Sequence, residues 1–580
     1  MKKLLNKIKS FKELKYLIII LVSIIASIPL LKMQIVKTDD GYVHMLRIMG
    51  MSRIFQTGQF PPLINPDYCF TWGYAINLFY APLVTYIPYI LKSFVMHYYD
   101  AMKVYAAITT IVSGFAMYKS AKEITKKDGI AVFASVIYIL YPYRLETMYN
   151  RFAIGEFSAY MFMPFVFLGL NNLLKCDKKK HYFISIGAIG LILTHSITTE
   201  IIIAFSLIYL LLNFKALKNK EVIKKLLINA IIIVGITAFY TIPIVEHKTL
   251  GDYTIFSADT MHCTNEYVRG HTITMLQLIK DNTDYVDKIS VKIGVPIIAG
   301  ILMGIFTCKV VEKKDYKIDY VIFTIFAVIS LFMSLNIFPW MYMPKFLCVI
   351  QFGWRMLEFF GFFVSIVCAI NAYHFIEILG RDNKTRRKIL YSIILIFIVL
   401  GSIPMVTRYK SPKFNYDPRI EKIILNKPQI GYFQINRDYL PMKAQNEENG
   451  YLLTRGNNVI IIDGKTNISN EQKNDLKLTF NIDNAEQGTT LEMPYLYYLG
   501  YKVQIVNEDN SVTELKTFES NNGFVAIQIP NDLKKAEIIV EYKGTTLEKM
   551  GYIISASTIA ITIIFLIKKR QNGEKTIEKK

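Results

Sequence analysis

Charge is scarce in this sequence and unevenly spread. Asp, Glu, Lys and Arg make up 19% of the 580 residues, against about a quarter in a soluble domain, and they sit in short blocks. A chain so built cannot clothe a globule in polar side chains, which excludes an ordinary soluble enzyme. Cysteine is sparse as well. The six present form no CxxC pair and show no zinc spacing, so no disulfide scaffold or structural zinc frames the fold. Cys69 and Cys263 both fall in outside loops of the topology below, where they either pair or remain free thiols. A P-loop, a GxSxG elbow and an HExxH helix are all missing, which argues against ATP-driven transport and against serine- or zinc-type hydrolysis. No charged residue sits mid-span in a pattern that suggests a proton relay.

What the sequence does hold is apolar. Hydrophobic residues make up 52% and aromatics 13%, in runs of about 15 to 24 residues, the length a helix needs to cross about 30 Å of hydrocarbon. The net charge of +21 does not indicate nucleic acid. The lysines lie in short loops between apolar runs, where positive residues fix orientation by staying cytoplasmic. Basic blocks occur at 1–15, 119–127, 175–180, 215–225, 309–317, 381–388 and 568–580, and each alternate connection lacks one. About twelve spans are therefore expected, near 16–32, 101–118, 130–142, 157–174, 182–195, 200–214, 225–245, 292–310, 319–335, 355–378, 387–404 and 551–567, with both termini cytoplasmic. The first is read as an uncleaved span, because no small-residue cleavage pattern comes after it. Residues 78–96 are apolar too, but Pro82, Pro88 and the tyrosines Tyr80, Tyr86 and Tyr89 suit a juxtamembrane or re-entrant piece. A true span there is the alternative.

Residues 405–550 change character. Polar turns separate alternating runs such as "NNVIIIDG", "LKLTFNID", "YKVQIV", "FVAIQIP" and "AEIIVEY", and period-two patterning predicts antiparallel strands in a sandwich. The expected division is a multispan α-helical membrane domain at 1–404 (its first outside loop 33–100), an extracytoplasmic all-β domain at 405–550, and a final anchor with a basic tail at 551–580.

Candidate chemistry gathers where spans meet the outside. The first loop opens "KTDDGYVHMLRIMG", with Asp39 and Asp40 at the membrane surface. If a helix begins near Asp40, His44 and Arg47 come at i+4 and i+7 on its face. A carboxylate there suits a general base or a metal ligand, and the Asp–His pair could share a cation. The plainer reading is that Asp39 or Asp40 caps the helix. The string "YPYRLETMYNRFAIGEF" sets Arg144, Glu146, Arg151 and Glu156 between two spans, either as a salt-bridge network or as a phosphate site with a second acid. "LTHSITTE" places His195 and Glu200 at a turn, where a hydrogen-bonded histidine is the plain reading. His247, His262, His271 and Arg269 show no metal spacing. "MPKFLCVIQFGWRMLEFF" gives Gln351, Trp354, Arg355 and Glu358, with Arg355 either on an anionic headgroup or in an i, i+3 pair with Glu358.

These strings resemble a known family. Asp40, His44, Arg47 and "GQFPP" are similar to the bacterial membrane family labelled 6-pyruvoyl-tetrahydropterin-synthase-related, as are "YPYRLETMYNRFAIGEF" and "LTHS". "IQFGWR" resembles that family's glutamine–phenylalanine–proline–tryptophan–arginine string, with Gly353 in the proline's place, and "LEMPYLYYLGYKV" is similar to the sandwich of YfhO-like proteins. The group looks related to GT-C glycosyltransferases. That likeness implies an inverting transfer in the bacterial plasma membrane, from a polyprenyl-phosphate-linked sugar to an envelope glycan or polymer on the extracytoplasmic side. Asp40 (or Asp39) would be the base or metal-site acid and Glu146 or Glu156 the second acid. His44, Arg47, Arg144, Arg151, His195, Gln351, Trp354 and Arg355 would line the substrate site. The metal requirement is open, a divalent cation being the candidate. A non-catalytic envelope scaffold and a transporter of lipid-linked precursors are the rival readings.

Overall fold

The computed structural model describes residues 11–175, 180–259, 261–280, 289–381, 383–409, 437–445 and 451–578. Basic residues at 1–10 and 176–179, and the start of the expected β domain at 410–436 and 446–450, lie outside them. The chain divides into two compact units. The first comprises Met1–Met45, Leu83–Ile233 and His262–Asp417, and the second Leu46–Pro82, Val234–Met261 and Pro418–Lys580. The second unit thus draws in residues 46–82 and 234–261 as well as the C-terminal strands.

Each expected span falls on an apolar helix. We number these α1 (Phe11–Ser27), α2 (Gly41–Gln56, the outside-loop helix), α3 (Tyr98–Thr125), α4 (Asp128–Ile139), α5 (Ile154–Leu174), α6 (Phe183–Ile192), α7 (Ser196–Leu212), α8 (Lys220–Leu250), α9 (Val295–Val311), α10 (Lys317–Ser334), α11 (Leu357–Gly380), α12 (Lys384–Arg408) and α13 (Thr546–Lys568). Among the described residues eight are long and apolar enough to cross a membrane, counting the turn Ile28–Lys32 after α1 and the turn Gly353–Met356 before α11, while α4, α6, α7 and α9 are shorter. Residues 78–96 form no long helix. A four-residue turn Ile76–Phe79 is followed by the nine-residue helix Leu83–Leu91, which holds Pro88 and at 1.5 Å per residue reaches only about 14 Å.

In the first unit α11 is buried almost all round, while α12 and the α10 face bearing Val328 and Ile329 are open as lipid-facing helices are. Small residues let α11 pack closely. A Cβ added at Gly361 would stand 2.1 Å from the Tyr141 ring, and the Tyr141 hydroxyl donates to Leu357 O at 2.9 Å. That contact fixes the start of α11 against the segment after α4.

Among the described residues of the second unit nine strands form two antiparallel sheets: β1 (Ile460–Asp463), β2 (Asn467–Asn474), β3 (Lys477–Ala485), β4 (Thr490–Leu496), β5 (Tyr501–Asn507), β6 (Val512–Leu515), β7 (Phe518–Glu519), β8 (Phe524–Gln528) and β9 (Leu533–Tyr542). The orders are β1-β4-β8-β7 and β2-β3-β9-β5-β6. Phe480 pairs with Ile538 and Val503 with Val540, so alternate side chains of β3, β5 and β9 turn to one core. Tyr495 of β4 stacks on Tyr501 of β5 at 5.2 Å, joining the sheets. The core also takes Trp72, whose ring meets Phe524 edge-on at 5.1 Å and whose carbonyl accepts from Leu496 N at 3.0 Å.

Candidate functional site

The site lies in the first unit, where the ends of α5 and α11 meet the segments before α2 and α7. Residues Thr147–Arg151 wind as a single π turn, and Phe152 closes it in the left-handed region at φ 50° and ψ 41°. Such a turn breaks the 3.6-residue period and re-aims the side chains on either side of it. Arg151 is sent one way, Arg144 and Glu146 another. Gln351, at φ +62°, is the second strained position, and each such residue costs about 1–3 kcal/mol. Both flank the same cluster.

Glu156 is its centre. Its Oε2 lies 2.7 Å from Arg151 Nη1 and 3.4 Å from Arg355 Nε, and its Oε1 accepts from the Tyr143 hydroxyl at 2.5 Å. All four side chains are buried. Two guanidinium ions therefore share one carboxylate in a place shielded from water. Aromatic faces supply the rest of their setting: Arg151 lies 4.8 Å over the Trp354 ring, and Arg355 lies 4.9 Å over Phe352, which stacks on Trp354 at 4.6 Å. Such faces hold a cation without neutralising it. Arg355 Nη1 donates to Ile350 O at 2.8 Å and to Gln351 Oε1 at 3.0 Å.

Asp40 joins through the backbone. Its N–H donates to Arg151 O at 2.8 Å, and Asp39 N–H to Asn150 O at 3.3 Å. Thr38 takes the capping place instead, its hydroxyl accepting from Gly41 N at 3.2 Å. The Asp40 side chain keeps part of its surface open yet lies deep beneath its neighbours. That burial raises its carboxyl above the ordinary 3.8, Arg151 and Arg355 pull it back, and Glu156 adds to the rise. His195 shares this half-open, enclosed setting. Burial, with Arg355 and Arg151, pushes its imidazole down to about 3 against the pull of Glu156, so the ring is neutral.

Of the residues expected from sequence, the structure brings together Asp40, Arg151, Glu156, His195, Gln351, Trp354 and Arg355. Arg144 and Glu146 turn to other partners. Arg144 donates to Thr110 Oγ1 at 2.9 Å and to Ile139 O at 3.2 Å, and Glu146 accepts from the Tyr409 hydroxyl. His44 is buried one turn into α2, its N–H on Asp40 O at 3.1 Å. Arg47 belongs to the second unit, where its guanidinium lies 4.0 Å over the Tyr80 ring. The expected Arg355–Glu358 pairing gives way to other partners: Arg355 turns to Glu156, while both Glu358 carboxyl oxygens lie 3.0 Å from Thr198 Oγ1. Cys69 and Cys263 are thiols, not joined as a disulfide. Among the described residues no three His, Cys, Asp or Glu side chains converge as a metal site requires.

Residues 78–408, more than half of the chain, match the family described as 6-pyruvoyl-tetrahydropterin synthase related domain, membrane protein. The chain belongs to this family. The stretch matched to the 6-pyruvoyl-tetrahydropterin synthase related domain contains Arg151, Glu156, His195 and Arg355, with Asp40 lying before it. A protein of Lactococcus lactis subsp. cremoris (strain MG1363), described as uncharacterized, is 24% identical over 606 aligned positions that cover 97% of each chain. Among solved structures the chain is similar to the oligosaccharyltransferase of Archaeoglobus fulgidus in its apo form, with 11% identity and a TM-score of 0.42. The match covers 72% of this chain and 58% of the length of that one.

Tyr143 and Thr198 join the cluster without having been singled out in the sequence, and Glu358, read there only as a partner for Arg355, enters it through Thr198. Tyr143 sits between two spans but carries no charge to draw the eye. Thr198 and Glu358 come from different helices and meet only through folding.

Proposed function

We propose that this protein is a membrane glycosyltransferase of GT-C type that moves a sugar from a polyprenyl-phosphate donor to an envelope glycan or polymer on the extracytoplasmic side of the bacterial plasma membrane. The observation that carries the reading is the buried pair Arg151 and Arg355 sharing Glu156, with the half-open Asp40 carboxyl beside them. Arginine matches a phosphate with paired donors, so two arginines held side by side suit a phosphate group. The donor reaches such a site from the bilayer, so no nucleotide is required.

The chemistry is a displacement at the anomeric carbon. Asp40 accepts the proton of the attacking hydroxyl, which a carboxylate with a raised pKa does more readily. The hydroxyl oxygen bonds to the anomeric carbon from the face opposite the phosphate, and the configuration inverts. Arg151 and Arg355 stabilise the charge that grows on the departing phosphate. The described residues offer no three-donor cluster for a divalent cation, so no step is routed through one.

The test is Asp40→Asn beside Asp39→Asn, with protein level and sugar transfer measured on the same preparations. Losing a general base costs about 100- to 10,000-fold in rate, so Asp40→Asn should lose transfer at normal expression while Asp39→Asn keeps it. In the native protein the rate should fall as pH drops through a value above the ordinary 3.8 of an aspartate. Full transfer by Asp40→Asn would remove Asp40 from the chemistry.

A further inference from the structure

The hydrogen bonds around Thr198 favour one placement of protons over its reverse. His195 caps α7, its Nδ1 accepting the Thr198 backbone N–H at 3.3 Å. A ring nitrogen that accepts carries no proton, so the proton of the neutral ring is on Nε2. The same Nδ1 lies 2.6 Å from Thr198 Oγ1, and only a hydroxyl proton pointing at Nδ1 makes that a bond. Thr198 Oγ1 then has nothing but lone pairs to offer Glu358, whose two carboxyl oxygens both lie 3.0 Å away. An ionised Glu358 would set lone pairs against lone pairs in a fully buried place, whereas a carboxylic acid supplies the missing proton.

The opposite order fails on the cap. If Thr198 donated to Glu358 and His195 Nδ1–H to Thr198, the ring N–H would face the backbone N–H it now accepts from, and the cap on α7 would be lost. Among the described residues no cation holds Glu358 by a direct bond either, since Arg355 is committed to Glu156, Gln351 and Ile350 O. The charged groups that face His195 are Arg355, Glu156 and Arg151. Glu358, at the inner end of the chain of bonds, lies three residues after Arg355, which ties the chain to the arginine pair.

We infer that Glu358, Thr198 and His195 form a proton-donating chain whose outer end, His195 Nε2–H, serves the same anion site as Arg151 and Arg355. For its substrate the inference rests on the transferase reading. As the bond between the anomeric carbon and the phosphate oxygen breaks, its electron pair stays on that oxygen, which takes the proton from His195 Nε2. The Thr198 hydroxyl proton passes to Nδ1 and the Glu358 proton to Thr198 Oγ1. The ring ends neutral as the Nδ1–H form, Glu358 ends as a carboxylate, and a solvent proton resets the chain. Thr198 and Glu358 act through His195 and are positioning residues.

The chain can be tested without any sugar donor. In protein reconstituted in lipid nanodiscs, 15N NMR of labelled histidine, assigned with His195→Asn, should show His195 protonated on Nε2. Infrared difference spectra should show a protonated-carboxyl band that Glu358→Gln removes. The glutamine amide still donates to Thr198, so this variant should keep the tautomer but lose transfer by about 100-fold or more, because it has no proton to give. A purely structural role predicts an unchanged rate. Protonation on Nδ1, a missing carboxyl band, or undiminished transfer by Glu358→Gln would each overturn the chain. A native protein with the tautomer and the band in place but no transfer would instead overturn the transferase reading, leaving the chain intact.

Discussion

Glu156→Gln probes the arginine pair most sharply. The substitution keeps the shape and removes the single charge that two buried guanidinium ions share at 2.7 and 3.4 Å. At an effective dielectric of about 20 those contacts are worth about 6 and about 5 kcal/mol before desolvation. Withdrawing Glu156 from water offsets several kcal/mol of that, so breaking the cluster should cost about 3–5 kcal/mol, the usual penalty for stranding a buried ion. The Tyr143 hydroxyl, 2.5 Å from the carboxylate, can donate to the new amide oxygen and should contribute little to the loss. Denaturation in detergent, followed by tryptophan fluorescence, would measure the cost because Trp354 lies under Arg151. A second arm adds inorganic pyrophosphate. If the stranded arginines bind an anion, the variant should regain about 2.7 kcal/mol at a hundredfold excess over the dissociation constant, and the native protein should gain less. A variant as stable as the native protein and indifferent to pyrophosphate would refute the view that this cluster is poised for an anion.

Trp72→Ala should destabilise the second unit by about 3–5 kcal/mol, because Trp72 fills the space against Phe524; limited proteolysis of the full chain would report it, and unchanged resistance would contradict that packing. Cysteine labelling of intact cells should find positions 126 and 180 shielded and positions 458 and 502 reactive, as the alternating lysine blocks require. Labelling of position 126 from outside would make 78–96 a full span and invert the later loops.

The membrane helices were legible because hydrocarbon thickness fixes their length, and the strands because alternation survives in β3, β5 and β9. Strand order was not, since registers such as Phe480 with Ile538 join distant segments. In the site, Asp40 and Arg151 stood out as charges at span ends, but their partnership did not. It depends on a π turn that no periodicity announces, and that turn also sends Arg144 and Glu146 to Thr110 and Tyr409. Spacing suggested Arg355 with Glu358, a pairing available on any helix. The fold decides otherwise, setting Glu156 against Arg355 and leaving Glu358 to a threonine on another helix. The sequence likewise showed no proton relay, because the proposed one is assembled across α7 and α11 and not along either.

The most direct measurement supplies purified protein in liposomes with a radiolabelled polyprenyl-phosphate sugar and tracks the label, comparing native protein with Arg151→Met and Arg355→Met. The proposed function predicts that the native protein cleaves the sugar–phosphate bond, releasing the sugar to water or to an added glycan, and that each variant loses at least 100-fold in rate. A range of polyprenyl-phosphate sugars left intact by well-folded native protein, or cleaved equally fast by both variants, would contradict it.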